Sequence, residues 1–411
     1  MPRLAPTRFP PGFFDLPADA GQSLPLEVIA SWIRSPQTPE AARLLLEPCT
    51  LEGIVVASDT SGLTRMSHER SLIEILAIIS RPKELVHAYG RAIGGTAVGV
   101  WAADNTVMFY PEQVPAADVT SMLLGLMDRI RAECEVGIGM AVHHGTFYEL
   151  GNGLHGADAD LVETLAEEHA RAHELLVTGE IRRLLGEDES YEIEHVPGIQ
   201  QTGEIYRVMD GPRAEGIEPS EFRYPLPFSD DFFQGLSVFQ RTRRTSVVPR
   251  PAYRDGFVVV VEREREERDV PEVATLNDLA LAAAIARAGR VLLAGLGGFE
   301  VKNTGGPGIY YFDDPRESLE FARGLRTFFD GQQVQLSIGI DMGRVLLFEL
   351  GDGRYEVAGS PVNVASKLAP DAGKLGAITL TWASARAAGI PDHMAVEALA
   401  ASGMTIEAVR T

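Results

Sequence analysis

Two aspartates in the first half of this chain, and four polar residues in the second, are the side chains whose types and spacing can do chemistry. Asp59 follows the apolar run Ile54 to Ser58 and opens the string Asp59-Thr60-Ser61-Gly62. Asp104 follows a second such run and opens Asp104-Asn105-Thr106-Val107-Met108-Phe109. Two carboxylates at strand ends are placed to share divalent metal, and hard oxygen ligands of that kind signal phosphate chemistry. Lys302, Glu356, Asn363 and Lys367 lie in a second copy of the same scaffold, so each half holds what the other lacks.

The duplication is visible as register. Asp59 pairs with Glu262, Asp104 with Gly306, Ile138-Gly139 with Ile338-Gly339, Glu149-Leu150-Gly151 with Glu349-Leu350-Gly351, Gly156 with Gly359 and Thr178 with Thr381. The offsets are 203, 202, 200, 200, 203 and 203. Chance matches would drift, and a period this long means tandem domains rather than a solenoid.

The elements that must position these residues follow from periodicity. The first copy reads strand (Gly53 to Ser58), helix (Glu69 to Tyr89), a strand pair (Thr96 to Ala102, Thr106 to Tyr110) and helix (Ala116 to Glu133). Two strands (Val136 to His143, Thr146 to Leu150), a helix (Asp158 to His173) and a strand (Leu175 to Thr178) come next, and Glu204 to Val208 closes it. The second copy starts at Phe257 to Val261, repeats that order, and ends on a strand near Met404 to Val409. Hairpins interleaved with helices predict an α+β class with helices on one sheet face.

The expected domains are an arm with short helices at 1–48, a first copy at 49–210, a linker at 211–252 and a second copy at 253–411. In the arm, Leu24 to Ile33 and Pro39 to Leu46 are amphipathic and read as a docking device open to a regulatory partner. The linker carries Pro212, Pro219, Pro225, Pro227 and the basic cluster Arg241-Thr242-Arg243-Arg244, with a helix expected near Ser229 to Leu236.

With 411 residues, 45% of them hydrophobic, the chain can build a core in each copy. Its 37 basic against 58 acidic residues give a formal charge of −21, which argues against nucleic acid or anionic membrane as the main partner, since both demand a cationic face. Two cysteines, Cys49 and Cys134, are too few for a disulfide framework and read as buried thiols of a reducing cytoplasm. Neither a signal-peptide core near Met1 to Gly21 nor a run of about 20 apolar residues is present, so a soluble cytoplasmic protein is expected.

Four strings resemble the class III adenylate/guanylate cyclase family in its tandem form. They are Ser58-Asp59-Thr60-Ser61-Gly62-Leu63, Ala103-Asp104-Asn105-Thr106-Val107-Met108-Phe109, Val301-Lys302-Asn303-Thr304-Gly305-Gly306 and the most specific, Tyr355-Glu356-Val357-Ala358-Gly359-Ser360-Pro361-Val362-Asn363-Val364-Ala365-Ser366-Lys367-Leu368. The resemblance, spanning about 51 to 411, implies two ferredoxin-like domains paired about an internal pseudo-twofold axis in a monomer, with one active site between them. It carries metal binding onto Asp59, Thr60 and Asp104, base recognition onto Lys302 and Glu356, ribose positioning onto Asn363 and phosphate stabilisation onto Lys367. The implied reaction joins the ribose 3′-hydroxyl of ATP, or of GTP, to its α-phosphate with loss of pyrophosphate, assisted by two Mg²⁺ or Mn²⁺ ions.

Lys367 stands where the family has arginine, and Glu356 is one methylene longer than the usual aspartate. An ammonium is a point charge where a guanidinium is a planar fork. The mirror-related site lacks its set: Glu262 and Gly306 replace the metal acids, Val100 the lysine, Asp160 and Thr164 the asparagine and the phosphate cation. At this level a turn or cap role for Asp59, Asp104 and Asn363, and a solvated role for Lys302 and Lys367, stay open. A catalytically degenerate nucleotide sensor or scaffold is the alternative to an enzyme. His143 and His144 alternate across a strand, cannot share one metal, and receive no role.

Overall fold

The computed structural model describes residues 24–63, 66, 70–99, 101, 105–151, 153–186, 189–199, 203–219, 223–225, 229–242, 252–263, 270–303, 307–332, 334–350, 354–369, 376–391, 393–401 and 404–411. Asp104, Val100, Gly306 and the leading segment Met1 to Gly21 lie outside these.

The chain divides into two compact units: Pro48–Pro249, and Arg250–Thr411 joined by the residues up to Glu47. Helices α1 (Leu26–Arg34) and α2 (Pro39–Leu46) come first. The Pro48–Pro249 unit then runs β1 (Thr50–Thr60), α3 (Leu72–Ala92), β2 (Thr96–Ala97), β3 (Thr106–Pro111), α4 (Ala116–Glu133), β4 (Ile138–Leu150), β5 (Gly153–His155), α5 (Ala157–Thr164), β6 (Leu175–Thr178), α6 (Gly179–Leu185), β7 (Glu192–His195), β8 (Ile205–Asp210) and α7 (Asp230–Thr242). The second runs β9 (Ala252–Arg263), α8 (Pro271–Leu293), β10 (Phe299–Lys302), β11 (Gly308–Phe312), α9 (Pro315–Asp330), β12 (Leu336–Leu350), β13 (Arg354–Ala358), α10 (Ser360–Leu368), β14 (Ile378–Thr381), α11 (Trp382–Ala387), β15 (Val396–Ala401) and β16 (Met404–Arg410).

Each unit is α+β, and the two sheets share one topology. The orders are β2-β3-β1-β4-β6-β8-β7 with β5 on β4, and β10-β11-β9-β12-β14-β16-β15 with β13 on β12. β4 pairs with β6, and β12 with β14, in parallel, while the other pairings are antiparallel. The expectation of helices on one face is corrected by the alternation of β1. Ile54 and Val56 enter the cluster of Leu85, Val86, Val119 and Leu123 from α3 and α4, whereas Val55 and Ala57 enter that of Ala159 and Val162 from α5. An unbroken apolar run is what a strand covered on both faces requires. In the second unit Val259 and Val261 pack under α8 and α9, and Val258 and Val260 under α10. Gly339 allows that approach, since a Cβ there would meet the Ala365 carbonyl oxygen at 2.1 Å.

Backbone pairing also corrects the register of the duplication. Val55 lies opposite His143 and Val258 opposite Asp341, so β1 and β9 differ by 203 while β4 and β12 differ by 198, not 200. A slip of two leaves every side chain on its own face, so matching Ile-Gly pairs conceals it. The strands expected at Val136 to His143 and Thr146 to Leu150 are one continuous β4. Both cysteines are half-buried rather than buried, and burial pushes the Cys134 thiol up to about 11, which leaves it protonated and unreactive. No helix among the described residues is long and apolar enough to cross a membrane.

His143 and Asp341 therefore occupy equivalent buried positions, and each bonds the threonine at the end of the neighbouring strand. His143 Nδ1 is 2.9 Å from Thr178 Oγ1, and Thr381 Oγ1 donates to Asp341 Oδ1 at 2.7 Å. Burial raises the Asp341 carboxyl to about 6, against the smaller opposing effects of the Thr381 hydroxyl and the Met342 N–H. The folded chain thus holds this proton to higher pH than the unfolded chain. Stability from this group is full below the ordinary carboxylate range and falls as pH rises through about 6. Asp341→Asn is expected to flatten that decline, worth about 1.5–3 kcal/mol between pH 4 and 7 by denaturant titration. An unchanged pH slope in the variant would contradict the assignment.

Candidate functional site

Asp59 is half-buried at the end of β1, paired with Gly139, and Thr60 beside it is buried opposite Ile138. The chain turns there, with Gly62 at φ +81°, a left-handed conformation that costs glycine nothing. Across the sheet Ser58 pairs with Thr106, their hydroxyl oxygens 2.6 Å apart in a buried contact. That contact fixes the β3 end two residues after Asp104 against the β1 end one residue before Asp59. The side chain of Asp104 itself lies outside the described residues. Among the described residues no three His, Cys, Asp or Glu side chains gather as a metal-binding group.

In the second unit the predicted base-recognition pair comes together. Lys302 ends β10 just past a register shift, and Glu356 lies on β13 opposite Phe348. Phe299 touches both Tyr311 and Tyr355, with ring centroids 5.4 and 4.9 Å apart, while Val301 and Val357 share one apolar cluster. These contacts draw β10 against β13. The Lys302 Nζ then lies 3.7 Å from Glu356 Oε2 with the two side chains 35% and 13% exposed, so the ammonium faces outward over a carboxylate held in a drier place. Glu356 Oε1 accepts from the Val357 N–H at 3.2 Å. The result is a donor beside an acceptor, fixed by neighbouring strands.

Asn363 and Lys367 lie four apart on α10 and so share a face. Pro361, Val364, Ala365 and Leu368 supply the buried side of that helix, and Asn363 and Lys367 are half-buried beside it. Gly359, at φ +146°, turns the chain into the helix, where a Cβ would press on the Arg344 carbonyl oxygen at 3.0 Å. The helix begins at Ser360 and has no side-chain cap bond, so Asn363 is not its cap. At the equivalent place in the first unit, Thr164 turns back to donate to the Asp160 carbonyl at 2.7 Å.

Sequence reasoning missed Arg263. Thr60 pairs with Ile138 and Arg263 with Leu336, which makes the two equivalent by register. Arg263 is 6% exposed, its Nε 4.0 Å from Asp278 Oδ1. A buried guanidinium at this strand end puts a fixed positive charge where a metal-binding unit needs oxygen donors. The signal was present in the matched strings, at the residue after Glu262.

No family model and no curated protein matches this sequence. Solved structures do. A class III adenylyl cyclase-like ATP-binding protein from Pseudomonas aeruginosa matches over 82% of this chain and 85% of its own, at 11% identity with a TM-score of 0.52. The adenylyl cyclase CyaB from P. aeruginosa matches over 40% of this chain and 96% of its own, at 18% identity and TM-score 0.35. The guanylate cyclase domain of RhGC from Catenaria anguillulae, in complex with GTP, matches over 39% and 98%, also at 18% and 0.35. The fold is that of the class III adenylyl cyclase-like proteins in tandem, as the motifs led us to expect.

Proposed function

We propose that this chain is a metal-dependent purine nucleotide cyclase that converts ATP to 3′,5′-cyclic AMP and pyrophosphate at a single site. The observation that carries the reading is the Lys302–Glu356 pair. An ammonium donor beside a carboxylate acceptor matches the N1 acceptor and N6 donor of adenine, whereas guanine offers the reverse. Asn363 would orient the ribose and Lys367 the phosphates. Asp59, Thr60 and Asp104 offer oxygen donors of the kind Mg²⁺ and Mn²⁺ take, and those ions would acidify the ribose hydroxyl and neutralise the leaving pyrophosphate. Lys302→Ala is expected to weaken ATP binding about 10–100-fold by titration calorimetry and to leave GTP binding within about threefold, since it removes a charged hydrogen bond specific to adenine. Equal losses for both nucleotides would count against base recognition by this pair.

Lys367 favours a second reading, a nucleotide-binding sensor or a scaffold without turnover. Lys367→Arg restores a bidentate phosphate contact. Under the cyclase reading it is expected to raise turnover about tenfold, a gain of roughly 1.4 kcal/mol in the transition state. Tight binding of metal and ATP with no product in either form would favour the sensor, and no binding at all the scaffold.

A further inference from the structure

Each long helix is covered by a segment that leads, in sequence, into the other sheet. The residues up to Glu47 belong with Arg250–Thr411, although four residues after Leu46 the chain enters β1 of the Pro48–Pro249 unit. Trp32 of α1 is fully buried and its Nε1 donates to Asn277 Oδ1 of α8 at 2.9 Å. Ile29, Ile33, Ala42 and Leu46 are buried with it, and Arg43 Nε lies 3.4 Å from Glu272 Oε1 on the same helix. Conversely α7, which precedes β9, belongs to the Pro48–Pro249 unit. It buries Phe232, Leu236 and Phe239, and Gln240 Nε2 donates to the Ala77 carbonyl of α3. Just ahead of it Tyr224 stacks on Trp101 with centroids 5.8 Å apart and donates to Ser80 Oγ at 3.3 Å. α3 and α8 follow the equivalent strands β1 and β9, so they correspond. Both carry a stretch that is apolar nearly all round, Ile75 to Ser80 and Leu279 to Ala284, buried without exception. A helix of that character must be covered on every side.

We infer that the two coverings form a reciprocal clasp, in which the helix pair α1–α2 is the obligate partner of α8 and α7 that of α3. The chain then crosses between units twice, once from Leu46 to Thr50 and once from Thr242 to Ala252. Cutting one crossing leaves the other holding the halves at high effective concentration. This rests on burial and hydrogen bonding alone and is independent of any activity.

The test uses the full-length chain with a protease site inserted between Thr242 and Ala252, and a second version with a further site between Leu46 and Thr50. After the single cut the two pieces are expected to elute together in gel filtration. After both cuts the short piece carrying Trp32 is expected to travel with the C-terminal one, as mass spectrometry would show, at dilutions where the piece carrying β1 to α7 has come away. Trp32→Ala in the single-cut protein is expected to weaken association at least about tenfold, and Trp32→Phe, which keeps a ring but no N–H, less. Separation after the first cut alone, or travel of the Trp32 piece with β1 to α7 rather than with the C-terminal piece, would each overturn the clasp.

Discussion

Asp59→Ala is expected to lower the rate of cyclic product formation from ATP by at least about 100-fold, because residues merely supporting a metal ligand already cost about 10–100-fold in affinity or activity when removed. Asp59 sits on a rigid strand rather than a loop: its neighbour Thr60 is buried and Ser58 is tied to Thr106. The deletion therefore removes the proposed ligand oxygen without releasing the strand. Two features would separate a metal role from a structural one. Melting should change far less than the rate, since Asp59 is half-buried at the end of β1 and outside the apolar clusters that hold the sheet. Raising Mn²⁺ should recover part of the lost rate, because a weakened site fills by mass action. Asp104→Ala should behave alike. A variant within about threefold of wild type at limiting metal would remove Asp59 from the chemistry, since that is under 1 kcal/mol.

Trp32→Ala is expected to be the most destabilising single change in the arm, at about 3–5 kcal/mol by denaturant titration, the range for emptying a buried aromatic site. Its indole is fully buried and also satisfies the Asn277 side-chain oxygen. Truncation leaves both a cavity and a buried polar group without its partner. Trp32→Phe should fall between, and Trp32→Ala combined with Asn277→Leu should recover part of the loss by removing the stranded amide. An arm that were only an accessory would show less than about 1 kcal/mol for Trp32→Ala, the scale of ordinary surface changes.

What the sequence made legible is what short-range pattern controls. Ala116–Glu133, Pro39–Leu46 and Leu175–Thr178 form the elements their periodicity predicts, and the tandem topology follows from matched strings. The Lys302–Glu356 pairing was expected only through resemblance, since the two lie on strands that Phe299 and Tyr355 bring together from distant parts of the chain. The two-residue slip between β4 and β12 was hidden because strand periodicity cannot distinguish it. α7 was expected near Ser229 to Leu236, but it runs from Asp230 to Thr242 and is integral to the first unit. The proline-rich composition around it gave no sign that Tyr224 would stack on Trp101. The arm's amphipathic pattern showed that it docks, and amphipathicity carries no information about where. Long-range partners such as Trp32 and Asn277 are set by complementarity of shape and hydrogen bonding, which no local window contains.

The most direct measurement is a panel of purified protein with ATP or GTP, each with Mg²⁺ or Mn²⁺, read by chromatography for cyclic nucleotide and pyrophosphate. The account predicts cyclic AMP and pyrophosphate in equal amounts from ATP, more than cyclic GMP from GTP, and neither product after Asp59→Ala. Absence of cyclic product under every combination, from protein that folds and binds nucleotide, would contradict it.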